Sequence, residues 1–353
     1  EEKVDMVAGR TFWSFGGAER FDIPPVRVTD ASNGIRQQYK DEGYTSRVGN
    51  IPAICYPALC ALGCSFDEEL AYDIGRALGK ECRSRNISVL LGPGINIKRN
   101  PLCGRNFEYI SEDPVLSGKM GAAFIRGVQS AGVAACPKHF AANNQETRRS
   151  KSDSVVDDRT LFELYLRSFE IAVKEGKPWA IMPAYNRLNG TYCCENKWLL
   201  EDVLRKEWGF DGVTISDWGA VNDIARSIEN GLDVEMPGGV NSDKDTIKNA
   251  IEELSISQTA IDRACQDILR LTKRTAKAAS DDFGYDKKKH LDIAKKAAES
   301  SFVLLKNEGM LPLKKEEKLL VVGRFAKRPR YQGAGSSKVK LMHAETPWMS
   351  LRD

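Results

Sequence analysis

The chain has 353 residues, 42% of them hydrophobic, and 52 Lys and Arg stand against 49 Asp and Glu for a formal charge of +3. That length suits one large domain and part of a second, with apolar content sufficient for a globular core. The near balance of charge gives no reason to expect nucleic acid or an anionic membrane as partner, and no apolar run reaches the roughly 18 residues that span a bilayer.

The chain opens "EEKVDMVAGR", with neither an initiator Met nor a signal-peptide pattern, so it reads as the mature part or a fragment of something longer, and export stays open. Nine cysteines, an odd number without CxxC spacing, point to reduced thiols and a cytoplasmic rather than a secreted setting. Three scattered histidines, His139, His290 and His343, add no local cluster, so neither a metal nor another cofactor is expected.

From residue 65 onward helix-like and strand-like segments alternate. Ser65-Phe66-Asp67-Glu68 has the spacing of a capping box, after which Phe66, Leu70, Ile74, Ala77 and Leu78 share one helical face. The β-rich "ISVLLGPG" follows, then a long polar loop, a helix in "VLSGKMGAAFIRGVQSAG" and the strand-like "VAACPKHF". Asp158 is placed to cap a helix that buries Leu161, Leu164, Tyr165, Phe169 and Ala172 and ends at Gly176, before the strand "WAIMPAYN". Helices over 197–208 and 221–229 precede "GVTISDW" and "LDVEMPG", and two more occupy 244–253 and 257–279.

This alternation predicts parallel βα units, as a doubly wound sheet or a barrel. Lys138-His139, Tyr185-Asn186, Asp217-Trp218 and Glu235 all fall where strands end, and a barrel would gather those ends on one face. A doubly wound sheet would concentrate ligand contacts at a switch point instead, so a (β/α)8 TIM-like barrel over 1–279 is the expectation. The polar "SDDFGYDKKKH", 280–290, reads as a linker, and 291–353 as an unfinished α/β unit with a helix in "LDIAKKAAES" and strands in "SFVLLKN" and "KLLVVG". "YQGAGSSKVK" reads as a loop rather than a phosphate site, because the GK[ST] ending is missing. "GPGIN" fails the GxGxxG pattern, and Pro93 removes an amide donor.

Several of these strand ends can carry chemistry. A carboxylate at Asp217 suits attack on a sugar acetal carbon, and the indole of Trp218 suits the C–H face of a pyranose; the competing reading of Asp217 is a helix cap. Successive strand residues point to opposite faces, so for Lys138 and His139 both to reach a pocket the backbone must leave regular strand geometry, as a cis non-proline bond does. Otherwise His139 is a hydrogen-bonded core histidine. Arg105 and Glu108 lie in the loop "GRNFEYISEDP", where the guanidinium can fork two sugar hydroxyls or the two residues can form an anchoring ion pair.

The segments "VTDASNGIR", "GRNFEYISEDP", "KHFAANNQETRRS", "MPAYNRLNG" and "GFDGVTISDW" resemble, in order and spacing, the motifs of glycoside hydrolase family 3 β-glucosidases, and the resemblance runs through nearly the whole chain. Asn143-Asn144-Gln145-Glu146 and Trp218 are similar to the β-glucosidase branch; the family's β-N-acetylglucosaminidases usually carry a "KHFPGHG"-like segment there. The resemblance implies a barrel followed by the beginning of an α/β/α sandwich, with Asp217 as the nucleophile of a retaining exo-β-glucosidase. Asp30, Arg105, Lys138, His139, Tyr185 and Trp218 then hold the sugar, with Arg36 and Glu108 in support. The implied partner is a β-glucoside or cello-oligosaccharide, no cofactor is required, and homo-oligomerisation is left open. Two positions depart from the family pattern: Asp30-Ala31-Ser32 replaces the usual "DGP", and Pro183 stands where a small hydroxyl residue is common.

A retaining glycosidase needs a second carboxyl about 5 to 5.5 Å from the nucleophile. In family 3 β-glucosidases that Glu comes from the second domain, downstream of residue 353, so the acid/base is expected outside this chain. Glu345 and Glu235 are the internal substitutes, of which Glu235 fits a supporting role better. A glucoside-binding fragment without turnover, and a β-xylosidase or arabinosidase of the same family, are the alternatives.

Overall fold

The computed structural model describes the whole chain except residues 31, 39–49, 240–242, 277–282, 315, 343 and 353. Ala31, residues 280–282 of the expected linker and His343 therefore lie outside the described residues.

Helix α1 (Glu2–Val7) leads into β1 (Gly9–Thr11), β2 (Ser14–Phe15) and β3 (Val26–Asp30). Then come α2 (Leu59–Gly63), α3 (Glu68–Arg83), β4 (Val89–Leu91), α4 (Pro114–Ser130), β5 (Ala134–Ala135) and β6 (Lys138–Phe140). After β7 (Asp153–Ser154), α5 (Asp158–Thr160) and α6 (Arg167–Ile171) belong to one helical stretch ending at Gly176, followed by β8 (Ala180–Pro183), β9 (Arg187–Leu188) and β10 (Thr191–Tyr192). A helical segment Trp198–Glu207, β11 (Val213–Thr214), α7 (Ile224–Glu229), α8 (Lys244–Glu252) and α9 (Gln258–Thr275) complete this part.

The strands close into a ring. β3, β4 and β5 pair in parallel, as do β6, β8 and β11; Ile215 then bridges Val234, and Glu235 bridges Ala8 beside β1, again in parallel. The circuit is completed by β1–β2 and β2–β3, both antiparallel. The expected barrel is present with one strand reversed, and the reason is local. Only Phe12 and Trp13 separate β1 from β2, and two residues make a hairpin but cannot make the crossover a parallel pair needs. Along the strands alternate residues enter different cores: Val89, Leu91, Ala134, Ala180 and Met182 pack with α1 and α9, whereas Leu90, Ala135 and Ile181 pack with α3 and α4.

Helix starts differ from expectation by one to four residues, α7 beginning at Ile224 rather than 221 and α10 at Lys287, inside the stretch expected as linker. Asp67, not Ser65, caps α3 by accepting from Leu70 N at 2.9 Å, so Phe66 sits outside the helix at φ 53° and is 73% exposed rather than in the core. Asp157, not Asp158, caps α5. Leu164, expected on the buried face of that stretch, is exposed, while Leu161, Phe169 and Ala172 are buried as their spacing requires. Helices α3 and α4 approach so closely that a Cβ on Gly75 would run into Phe124 O and one on Gly127 into Tyr72 O.

Past the barrel, α10 (Lys287–Ser300) is capped by Asp286 and docks on α2 and α3, with Ala297 in the core and His290 Nδ1 2.8 Å from the buried Glu81 carboxylate. The expected strands at 301–307 and 318–323 form no ladder among the described residues, and Phe302, Leu305, Leu320 and Val322 are exposed, Leu305 at 92%. A strand exists through its partner, and the described residues supply none for these runs. The chain then returns to the barrel, where Ala53 N donates to Lys340 O at 2.8 Å and Val339 is buried, before α11 (Pro347–Arg352).

Candidate active site

Parallel strands deliver their C-terminal ends to one rim, and the polar residues converge there. Asp30 ends β3, Lys138 and His139 open β6, Tyr185 follows β8 by two residues, and Asp217 lies just beyond Ile215. The Lys138–His139 peptide is cis, and both side chains reach the cluster. Lys138 Nζ donates to Asp30 Oδ1 at 3.0 Å and lies 3.9 Å from Glu108 Oε2, while His139 Nε2 lies 3.5 Å from Asp217 Oδ2.

Asp217 is buried. Its Oδ1 accepts from Trp218 N at 2.7 Å, whereas Oδ2 has no hydrogen-bond partner and faces Arg105 Nη1 at 3.9 Å. It caps no helix, because α7 takes its cap from Asp223, which accepts from Arg226 N. Burial pushes the Asp217 carboxyl above its usual range, with Arg105 and Lys138 pulling against that rise. For Glu108 the balance goes the other way: burial would raise it, but the Arg105 guanidinium, bonded through Nε, and the Lys138 ammonium hold it below the usual range. Burial works against a charged Lys138, yet Asp30 and Glu108 outweigh it and its pKa is raised. The Arg105 guanidinium thus lies beside a carboxyl oxygen that has no hydrogen-bond partner, and the charge of Lys138 acts on the same carboxyl.

The rest of the wall comes from farther off. The His139 backbone is clamped by Asn96, whose Oδ1 accepts from His139 N at 2.6 Å and whose Nδ2 donates to His139 O at 2.9 Å. Tyr109 OH lies 3.1 Å from His139 Nδ1. Burial, together with Arg105, Lys138 and Arg149, keeps the imidazole pKa well below its ordinary value. Tyr185 OH donates to Trp218 O at 2.8 Å, and the Arg149 guanidinium lies 4.1 Å over the Tyr185 ring. The Trp218 indole donates to Phe12 O at 3.0 Å and packs against Trp13 at 5.3 Å. Arg36 is an outer support, donating to Ser336 O at 3.0 Å and so tying the 331–340 loop to the β3 end.

All eight residues singled out around Asp217 are described, and seven of them, Asp30, Arg105, Glu108, Lys138, His139, Tyr185 and Trp218, join this network directly, with Arg36 behind. Asn96, Tyr109, Asn143 and Arg149 were missed. The sequence signal for Asn96 was a polar residue just past a strand, inside a "GPGIN" weighed only against nucleotide motifs; Tyr109 gave no signal beyond its place in the "GRNFEYISEDP" loop. Glu235 stands at a strand end with its carboxyl pushed up to about 7 by burial and by Asp243. Glu345 is exposed and lines an open groove with Cys55, Tyr56 and Phe107.

Fold and site define a β/α-barrel protein with a carboxylate-centred polar cluster at its strand ends. Residues 19–271 match the glycosyl hydrolase family 3 N terminal domain and residues 302–353 the glycosyl hydrolase family 3 C-terminal domain, so the chain belongs to glycosyl hydrolase family 3. It is 48% identical over 340 residues to the thermostable beta-glucosidase B of Acetivibrio thermocellus, covering 96% of this chain and 45% of that protein. An exo-alpha-(1->6)-L-arabinopyranosidase of Bifidobacterium longum is 42% identical over 351 residues, covering 96% of this chain and 46% of that protein. Among solved structures, beta-glucosidase 3B from Thermotoga neapolitana in complex with alpha-D-glucose superposes with a TM-score of 0.92 at 37% identity, over 99% of this chain and 52% of that one. The chain spans about half the length of these proteins.

Proposed function

We propose that this chain is the sugar-binding and nucleophile-bearing part of a retaining exo-β-glucosidase. The observation that carries the reading is the buried Asp217 Oδ2, unpaired and flanked by Arg105 and His139 at a barrel strand end. In this mechanism Asp217 attacks the anomeric carbon, the C–O bond to the aglycone breaks with its electron pair leaving on oxygen, and a glycosyl ester forms; water then attacks that ester and regenerates the carboxylate. Asp30, Lys138, His139 and Arg105 grip the hydroxyls of the terminal glucose, and Trp218 walls the subsite. The acid/base Glu that protonates the leaving oxygen lies outside this chain. Within it Glu108 is held by Arg105 and Lys138, and Glu345 is exposed on a separate groove. A reducing compartment is part of the same proposal, from nine cysteines, an odd number, scattered without CxxC spacing.

An activated aryl β-glucoside tests the reading, because its leaving group departs without protonation. The chain is expected to release the aryl group slowly, and azide should speed turnover and yield β-glucosyl azide. Binding of glucose without any aryl release would leave only the glucoside-binding reading. One relative favours a second substrate class: an α-L-arabinopyranosyl ring lacks a hydroxymethyl group and differs from glucose in its C4 hydroxyl. Relative rates on aryl β-glucoside, α-L-arabinopyranoside and β-xyloside decide between them.

A further inference from the structure

Among the described residues His139 is the one imidazole beside the Asp217 carboxyl, and which of its nitrogens carries the proton decides whether it offers that site a donor or a lone pair. The neighbours determine the choice. Asn143 Nδ2 lies 3.4 Å from Glu146 Oε1, and since a carboxylate only accepts, the amide nitrogen must face that way. The same nitrogen donates to Tyr109 OH at 3.2 Å. One lone pair of the Tyr109 oxygen is thereby occupied, and its single proton has two acceptors in range: His139 Nδ1 at 3.1 Å and Asn143 O at 3.5 Å. The shorter contact is to the imidazole. At the other edge of the ring, Nε2 faces Asp217 Oδ2 at 3.5 Å, where a nitrogen lone pair would meet oxygen lone pairs. Tyr109 and His139 are both fully buried, so solvent does not supply an alternative partner.

We propose that Tyr109 is a positioning residue that donates its hydroxyl proton to His139 Nδ1 and so fixes the neutral imidazole with its proton on Nε2, aimed at the Asp217 pocket. The chain Asn143 to Tyr109 to His139 gives the site a directed N–H donor without placing a third cation beside the nucleophile. A sugar hydroxyl entering between Nε2 and Oδ2 would accept from the imidazole. That last role rests on the glycosidase reading, whereas the tautomer itself does not.

The sequence contains only three histidines, so 15N-histidine spectra of the full chain are tractable, with His139 assigned by its loss in His139→Asn. At neutral pH the His139 resonances should show protonated Nε2 and unprotonated Nδ1. In Tyr109→Phe the Nε2–H preference should collapse toward a mixture, and kcat on an activated aryl glucoside should fall about 10-fold with KM little changed. If the Phe variant fails to fold, incorporation of difluorotyrosine, a stronger donor, should shift Nδ1 while leaving Nε2 in place. A proton on Nδ1 in the native chain, a cationic ring, or resonances indifferent to both changes would overturn the proposal. An inactive chain with the expected tautomer would count against the glycosidase reading alone.

Discussion

At the scale of single residues, the site gathers groups whose burial is unfavourable to folding. Removing charge from Asp217 should therefore separate function from stability. Asp217→Asn is expected to lower aryl-glucoside glycosylation by about 10³-fold or more while raising stability at neutral pH by about 1 kcal/mol, read by burst kinetics and denaturant melts. Glu235 gives a pH-dependent case. Its folded pKa of about 7 lies above the ordinary 4.5, so the folded state holds more protons and stability falls as pH rises between those values. Glu235→Gln should accordingly stabilise the chain at pH 8 by about 3 kcal/mol and change little at pH 4, and equal effects at both would refute the assignment. Much of the site was legible in the sequence, because a polar residue at the end of an apolar run has few structural reasons to be there. Asn96 and Tyr109 were not legible. Their partners are the backbone and ring of His139, more than 25 positions away, and the pairing of Gly94 with both Lys138 and Tyr109 brings them together.

At the scale of elements, two kinds of contact hold the barrel to its helices. The first is close packing without side chains. Gly75→Ala should cost about 1–3 kcal/mol in a thermal or denaturant melt, because the added methyl meets the Phe124 carbonyl and α3 and α4 must separate. The second is a buried ion network. Arg205 reaches Asp233 Oδ2 at 2.6 Å and Asp267 Oδ2 at 2.9 Å, and Asp233, fully buried, also accepts from Thr214 N at 2.8 Å in β11. Arg205→Met leaves the buried Asp233 with only the longer Arg263 contact at 3.5 Å and Asp267 with Arg270 at 2.7 Å, and should cost about 3–5 kcal/mol at pH 8 and less at pH 5, below the value of about 6 to which burial and Asp233 push the Asp267 carboxyl. The βα alternation was readable because helices and strands impose different hydrophobic periods on the same chain. The reversed β2 was not, since "FW" between the short "GRT" and "SF" carries no turn residue that marks a hairpin, and neither piece has a strand's apolar pattern. The runs at 301–307 and 318–323 failed as strands for the opposite reason: their composition suits a sheet, and composition does not provide the neighbour.

At the scale of the whole molecule, the barrel gathers its polar residues into a buried cluster while Phe302, Leu305, Leu320 and Val322 present apolar side chains to solvent. Such a patch favours association. Leu305→Ser with Leu320→Ser should reduce self-association in sedimentation velocity without altering glucose binding, and loss of both would place that stretch in the pocket's support. The proposed glycosidase mechanism turns on a single bond, the ester between the anomeric carbon and the carboxyl of Asp217. Incubation with dinitrophenyl 2-deoxy-2-fluoro-β-glucoside, followed by peptic digestion and tandem mass spectrometry, looks for that bond directly. The predicted result is one fluoroglucosyl group on the peptide containing Thr214-Ile215-Ser216-Asp217-Trp218, fragmenting to Asp217. A label on Glu108 or Glu235, or none in a chain that still binds glucose, would contradict it.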